Sequence, residues 1–350
     1  MRQFLSERYQ QLLARQFRIR FPDQLSGLTP SVEKGVKAQR IVHWYDERAR
    51  AQDKKPLKCC FGHPHGRGFV VEIEDGRLVL VGRDCAKKDF GFEFDEIVKG
   101  FEAEEDLQFQ VRRLLAVRET LPAALAELRT LPVATYDDVW RSFTTGYGKA
   151  GRLLAKGLRS SQGRLIAYRR ERNEAAEEAS ARRANKRLFE AWESADGAEQ
   201  RKLAAEIRRF IDSREPIYKE VPIDMGPCDG WRFILQSERS TPARLVEEAT
   251  ALLTHADDGR PVEQWGKSDF ARLRRNMDEA FQKLDAAADL VADLLRLTSP
   301  TNMERIADWA MQAGVDIRLD VPHGYRWPVT PALNSLRAAQ TIEEDAKQAA

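Results

Sequence analysis

The sequence predicts a mainly α protein, helical except for one small β-hairpin module near the N-terminus, with a helical hairpin projecting from its middle. Three observations carry that expectation. Apolar residues recur at helical spacing through most of the 350 residues. The pattern is most regular over 268–296, where Leu273, Met277, Ala280, Leu284, Ala287, Val291 and Leu294 keep a heptad rhythm. Residues 57–91 break the rhythm. There Phe69, Val71 and Ile73 alternate with Val70 and Glu72, Glu74-Asp75-Gly76-Arg77 supplies a turn, and Leu78 to Val81 return. Residues 164–187 are polar all round and rich in Ala, Arg and Glu, as a helix exposed on every side would be.

In chain order, residues 1–56 form a basic helical segment. A first helix is expected over 1–21, with Phe4, Leu5, Leu12, Leu13 and Phe17 near one side and a basic-aromatic run, Arg15 to Phe21, before Pro22. Thr29-Pro30-Ser31 opens a second, with Ser31 as N-cap and Val32, Val36, Ile41, Trp44 and Tyr45 on its face. The hairpin module, 57–91, is followed by a helical layer over 92–163. In it Phe90, Phe92, Phe94, Ile97, Val98 and Phe101 predict an aromatic cluster. Leu107 to Val117 predict a helix, and Pro122 starts another that ends at Pro132. The arm spans 164–215: its first helix is exposed, and a second after Gly197 places Leu203, Ile207 and Phe210 at i, i+4 and i+7. Residues 216–350 form a C-terminal helical domain. A loop at Pro216, Pro222, Gly226 and Pro227 leads to a short strand at Trp231, Phe233 and Leu235, then a helix from Ser240-Thr241-Pro242 to Leu253. After the heptad helix come a helix over 301–313, a strand pattern at Val315, Ile317 and Leu319, a turn around Pro322-His323, and a frayed last dozen residues.

The chemistry concentrates in the hairpin module. Three of the four cysteines (Cys59, Cys60, Cys85) and two of the five histidines (His63, His65) fall inside it. Cys60-Phe61-Gly62-His63 sets two donors three residues apart around a glycine, and the hairpin returns Cys85 beside them. Thiolate sulfur and imidazole nitrogen are the donors that tetrahedral Zn2+ takes. Cys85 stands at a helix start, where the dipole favours a thiolate. The expected ligands are Cys60, His63, His65 and Cys85, with Cys59 as the alternative. This arrangement resembles treble-clef and zinc-ribbon-like modules, in which a knuckle, a hairpin and a helix start share one ion. The resemblance covers residues 57–91 and implies a structural zinc. Lys88 stands where such modules place a second helix ligand, so the fourth position falls to His65, Cys59 or water.

Net charge is only +2, but it is segregated. Residues 1–58 hold 13 Lys and Arg against 6 Asp and Glu, and 141–187 hold 13 against 4. Residues 276–350 reverse the sign, with 12 Asp and Glu against 7 Lys and Arg. Basic runs interleaved with aromatics fit a phosphate backbone. They predict a non-enzymatic, zinc-containing nucleic-acid-binding protein. The contact residues are Arg18, Arg20, Arg67, Lys87, Lys88, Lys149, Arg152, Arg169, Arg170, Arg182 and Arg183, with Lys54, Lys55, Lys58 and Arg83 in the same basic neighbourhood. A second reading is an assembly or adaptor protein whose arm and heptad helix, a coiled-coil seam, take a protein partner or a second copy. A third is a metal-dependent hydrolase.

Signatures of catalysis are otherwise missing. The deaminase pattern His-x-Glu with Pro-Cys-x-x-Cys does not occur, nor does His-Glu-x-x-His or a Gly-x-Ser-x-Gly elbow. Gly146-Tyr147-Gly148-Lys149-Ala150-Gly151 has neither the spacing nor the hydroxyl of a phosphate-binding loop. No catalytic residues are therefore expected. No apolar run nears the roughly 20 residues of a membrane span, and the N-terminal MRQFLSERYQQLL lacks the apolar stretch of a secretory signal. The expectation is a cytoplasmic protein with no membrane partner, its few cysteines suited to a reducing compartment.

Overall fold

The computed structural model describes residues 5–47, 56–317 and 324–348, with backbone alone over 342–348. The elements in chain order begin with α1 (Glu7–Ala14), β1 (Leu28–Thr29), β2 (Ala38–Asp46), β3 (Leu57–Lys58), β4 (Pro64–His65), β5 (Arg67–Ile73) and β6 (Leu78–Gly82). Helices α2 (Arg83–Phe90), α3 (Phe92–Thr130), α4 (Val133–Arg141) and α5 (Gly148–Ser160) follow. Then come β7 (Arg164–Arg172), α6 (Glu174–Ala184), α7 (Lys186–Ser194), α8 (Gly197–Asp212) and β8 (Tyr218–Pro227). The chain finishes with α9 (Pro242–Thr254), α10 (Lys267–Leu297), α11 (Pro300–Gln312) and α12 (Pro331–Gln348). The chain is mainly helical, and no helix of the described residues is long and apolar enough to cross a membrane. It divides into two compact units: Met1–Leu131 with Glu248–Gln282 and Val329–Ala350, and Pro132–Glu247 with Lys283–Pro328.

In the first unit the hairpin lies within a larger sheet, in strand order β1-β6-β5-β2. Strands β5 and β6 pair antiparallel with Val71 opposite Val79, and Gly76 takes the positive φ of 81° that the tight turn requires. Val71, Ile73, Val79 and Val81 are fully buried and pack with Ile41, Phe94 and Phe101. The expected second helix is instead β2, antiparallel to β5. Its sequence, with Ile41, Val42, Trp44 and Tyr45 in succession, suits a pleated, half-buried surface better than a helix. The first helix stops at Ala14. Beyond it the basic-aromatic run is extended: Ile19 donates to the Trp44 carbonyl (3.0 Å), Trp44 donates to Phe17 (2.8 Å), and Phe17 and Ile19 are buried.

Helix α3 runs unbroken through Pro122 where the sequence suggests two helices. The end of α2 and the first turns of α3 supply the aromatic cluster: Phe90 stacks on Phe94 at 5.5 Å, Phe94 meets Phe69 at 5.9 Å, and Phe101 meets Phe17 at 5.1 Å. Phe92 is 80% exposed and outside that cluster. The last dozen residues are not frayed as far as Gln348, because α12 packs along α3. Both carboxylate oxygens of Glu127 accept hydrogen bonds from the first free N–H groups of α12, at Ala332 and Leu333 (each 3.0 Å).

In the second unit, Phe143, Leu154, Leu158, Leu165, Phe233, Ile234, Val291, Leu294 and Ile306 form the core. Residues 164–172 are a strand, not the start of an exposed helix. Leu165 and Ala167 alternate into the core, and β7 pairs antiparallel with β8 where a loop is expected. The pairing puts Ala167 opposite Ile223 and Tyr168 opposite Pro222, a residue an edge strand tolerates. The ribbon carries a head of three short helices, α6, α7 and α8, closed over Ala181, Phe189 and Ile207. The arm is thus a ribbon with a three-helix head rather than a two-helix hairpin. Trp231–Phe233 form a single 3-10 turn instead of a strand. It follows Gly230, whose φ is 71° and where a Cβ would lie 1.9 Å from the Asp293 carbonyl oxygen.

Helices α9 and α10 each contribute residues to both units. All seven heptad positions of α10, from Leu273 to Leu294, are buried. Val315 and Ile317 carry no strand, and Leu319, Pro322 and His323 lie outside the described residues, as do Phe4, Lys54 and Lys55.

Candidate metal centre

Three donors converge where the knuckle meets the start of α2. Residues 59–63 make a tight loop: Cys59 N–H donates to the His63 carbonyl (2.9 Å), Gly62 N–H donates to the Cys59 carbonyl (2.7 Å), and Gly62 supplies the required φ of 84°. The Cys59 sulfur accepts a hydrogen bond from the His63 N–H at 3.3 Å. Cys85, in the first turn of α2, lies with its sulfur 3.3 Å from His63 Nδ1. The Cys59 and Cys85 sulfurs and a His63 ring nitrogen all lie within 4.8 Å of one another. Zn–S and Zn–N bonds of about 2.3 and 2.05 Å at tetrahedral angles separate such donors by roughly 3.6–3.8 Å. Adjustments of up to about 1 Å would therefore seat an ion.

The exposure of the three runs from buried Cys59 through half-buried Cys85 to exposed His63. Burial, with the adjoining Cys59 sulfur and the carboxylates of Asp89 and Asp84, pushes the Cys85 thiol up to about 11. A metal ion binds the thiolate, so an ion seated here would displace the Cys85 proton.

Cys59, and not Cys60, stands with His63 and Cys85. Cys60 N–H donates to the Leu80 carbonyl (2.8 Å), and its side chain turns into the apolar core with Phe69, Val81 and Phe94. Burial pushes that thiol up to about 12. His65 also stands apart from the group. Its Nδ1 faces the His63 carbonyl at 3.3 Å, which an N–H must donate to, and its Nε2 lies 2.5 Å from the Tyr45 hydroxyl, from which it accepts. Burial lowers the His65 pKa, consistent with a neutral ring, and raises that of Tyr45. Gly82 admits that ring, since a Cβ there would sit 3.0 Å from it. Cys59, His63 and Cys85 form the group; Cys60 and His65 support it from the core and from Tyr45.

The basic residues fall into two kinds. In the first unit, Arg18 lies 4.9 Å over the Trp44 ring and Arg20 5.6 Å over Phe21. Lys87 pairs with Asp95 at 3.6 Å, while Arg67 and Lys88 are exposed. In the second unit the arm arginines are largely engaged. Arg169 pairs with Glu171 and Arg182 with Glu193, and Arg170 stacks 4.8 Å over Tyr218, although Arg183 is exposed.

Helix α5 differs. Lys149, Arg152, Lys156 and Arg159 are all exposed and make no ion pair among the described residues, and the helix contains no acidic residue. At 100° per residue the four cations occupy an arc of about 80°. Ala150, Gly151, Leu154 and Leu158 are buried on the opposite side. Gly151 lets the helix approach: a Cβ there would lie 2.0 Å from the Phe143 carbonyl oxygen. Lys156 and Arg159 are missed when the block is read as bulk charge, although their 3-4-3 spacing with Lys149 and Arg152 marks one helix face.

No protein-family model matches the chain, and neither the curated proteins nor the solved structures contain a match to it.

Proposed function

We propose that this chain is a zinc-stapled, non-enzymatic protein that binds nucleic acid through the phosphate backbone, with the outer face of α5 as the principal contact. The observation that carries the reading is the row of four uncompensated cations on α5. Like charges three and four residues apart destabilise a helix by a few tenths of a kcal/mol per pair, and no acidic neighbour offsets that here. The row extends over about 15 Å at 1.5 Å per residue, a length over which a duplex presents several phosphates. The arm arginines, held by Glu171 and Glu193, have less charge to offer.

Zinc is the metal that two thiolates and an imidazole favour in a small closed site. Its role would be structural: Cys59 and His63 sit on the knuckle and Cys85 on α2, so one ion joins the loop to the helix start. The test is binding of a short labelled DNA duplex. Four neutralised phosphates predict that log affinity falls with log salt at a slope of about −3.6, or roughly 150-fold between about 50 and 200 mM. An absence of binding at the low end of that range would overturn the reading in favour of an assembly role for the three-helix head.

A further inference from the structure

A carboxylate beside the three-donor group has an unanswered oxygen. Asp89 Oδ2 is buried and has no hydrogen-bond partner. A buried carboxylate oxygen left unpaired is expensive, and native structures supply such a group with a donor or a cation. Asp89 lies on α2 one turn after Cys85, and side chains four residues apart on a helix stand on the same face, with Cβ atoms about 5–6 Å from each other. That spacing lets two helix residues hold one ion, as the two histidines of His-Glu-x-x-His sites do. The Asp89 carboxylate is not one of the donors that lie within 4.8 Å of one another, so it would join Cys59, His63 and Cys85 by a change of rotamer. His65, the other candidate for a fourth donor, has its ring nitrogens directed to Tyr45 and the His63 carbonyl.

We infer that Asp89 is the fourth ligand, closing a Cys59-His63-Cys85-Asp89 site when its unpartnered carboxylate turns toward the ion. This rests on the metal reading above and specifies it. A carboxylate in the fourth position leaves no place for an exchangeable water, so the centre is a structural staple and not a hydrolytic one. With two thiolates, one carboxylate and a neutral imidazole the site carries one net negative charge around a divalent ion. Sequence reasoning looks for a second helix ligand at position 88 and finds a lysine; the donor is one residue further on, where the i+4 geometry serves equally well.

The test uses the full-length chain with Zn2+ and with Co2+ as a spectroscopic substitute. Asp89→Ala is expected to weaken zinc binding by about 100-fold in competition with a chromogenic chelator. Its metal-free form is expected to be at least as stable as the metal-free wild type, because a buried oxygen without a hydrogen-bond partner has gone. Asp89→Cys is expected to restore tight binding and to raise the thiolate-to-Co2+ charge-transfer absorbance by about half, as two thiolates become three. Zinc affinity within about threefold of wild type in Asp89→Ala, or an unchanged Co2+ spectrum in Asp89→Cys, would overturn the assignment while leaving the three-donor site standing. Failure of the wild type to bind either ion would remove both.

Discussion

Replacing Lys149, Arg152, Lys156 and Arg159 together by Gln separates the α5 face from the rest of the basic surface. Glutamine matches Lys and Arg in helix propensity, and all four side chains are exposed, so the helix should persist. The row contains three like-charge neighbours: 149 with 152, 152 with 156, and 156 with 159. Relieving them at about 0.2–0.5 kcal/mol each should make the variant more stable by about 1 kcal/mol. Binding should move the other way. Each lost phosphate contact removes about 0.9 from the salt slope, so the quadruple variant flattens it by about 3.6. If the contacts are purely electrostatic, with no contribution at a 1 M reference, that slope corresponds to a weakening on the order of 4,000-fold at 0.1 M salt. The assay is fluorescence anisotropy of a labelled duplex across a salt series, with denaturant unfolding run on the same samples. The control exchanges Arg169, Arg170, Arg182 and Arg183 for Gln, where neighbouring carboxylates already compensate part of the charge. A slope change as large in the control as in the α5 set would refute the assignment of the contact to α5. Lower stability with lost binding would point instead to a packing role for the helix.

The metal centre predicts that protein prepared without chelator carries one zinc per chain. Elemental analysis should find it lost in Cys59→Ser and Cys85→Ser and retained in Cys60→Ser; the reverse pattern would return the ligand role to Cys60. The three-helix head is expected to be dispensable for the rest of the fold. Replacing 174–216 with a short turn joins Asn173 to Ile217, already bonded at 2.7 Å, and keeps Leu165 and Ala167 in the core. Loss of cooperative unfolding in the remainder would count against this. Within the head, Glu177 accepts two bonds from Arg172 (2.8 and 2.9 Å) and one from the Ile217 N–H (2.9 Å). The Arg172 bonds hold its carboxyl below the usual range. A depressed folded-state value gives stability that is present above the unfolded carboxylate value of about 4.3 and is lost as pH falls through the folded one. The junction should therefore loosen in acid, and Glu177→Gln should blunt that response; identical acid titrations by hydrogen exchange would show that the pairing is not what holds it.

How much of this was legible in the sequence depended on the range of the determining interaction. The β5–β6 hairpin is local: alternation on both sides of Asp75-Gly76 specifies strands, turn and register together. The helix over 267–297 is equally local, because its apolar positions repeat over four turns and more. The clustering of cysteine and histidine also needs no tertiary structure to be seen.

Other features were decided at a distance. Residues 164–172 combine charged and apolar residues that suit either a helix or a strand, and pairing with β8, far along the chain, settled them as a strand; 38–46, better suited to a pleated surface, pair with β5. Cys59 and Cys60 are chemically alike and adjacent. What separates them is the bond from Cys60 to Leu80 on β6, which turns one thiol into the core and leaves the other facing His63 and Cys85. The same holds for charge. The sequence determines how many cations the 141–187 block contains, whereas pairing across the arm decides which are neutralised. The α5 row keeps its charge because the acidic residues that quench the arm arginines sit on the ribbon and head, and α5 itself has none.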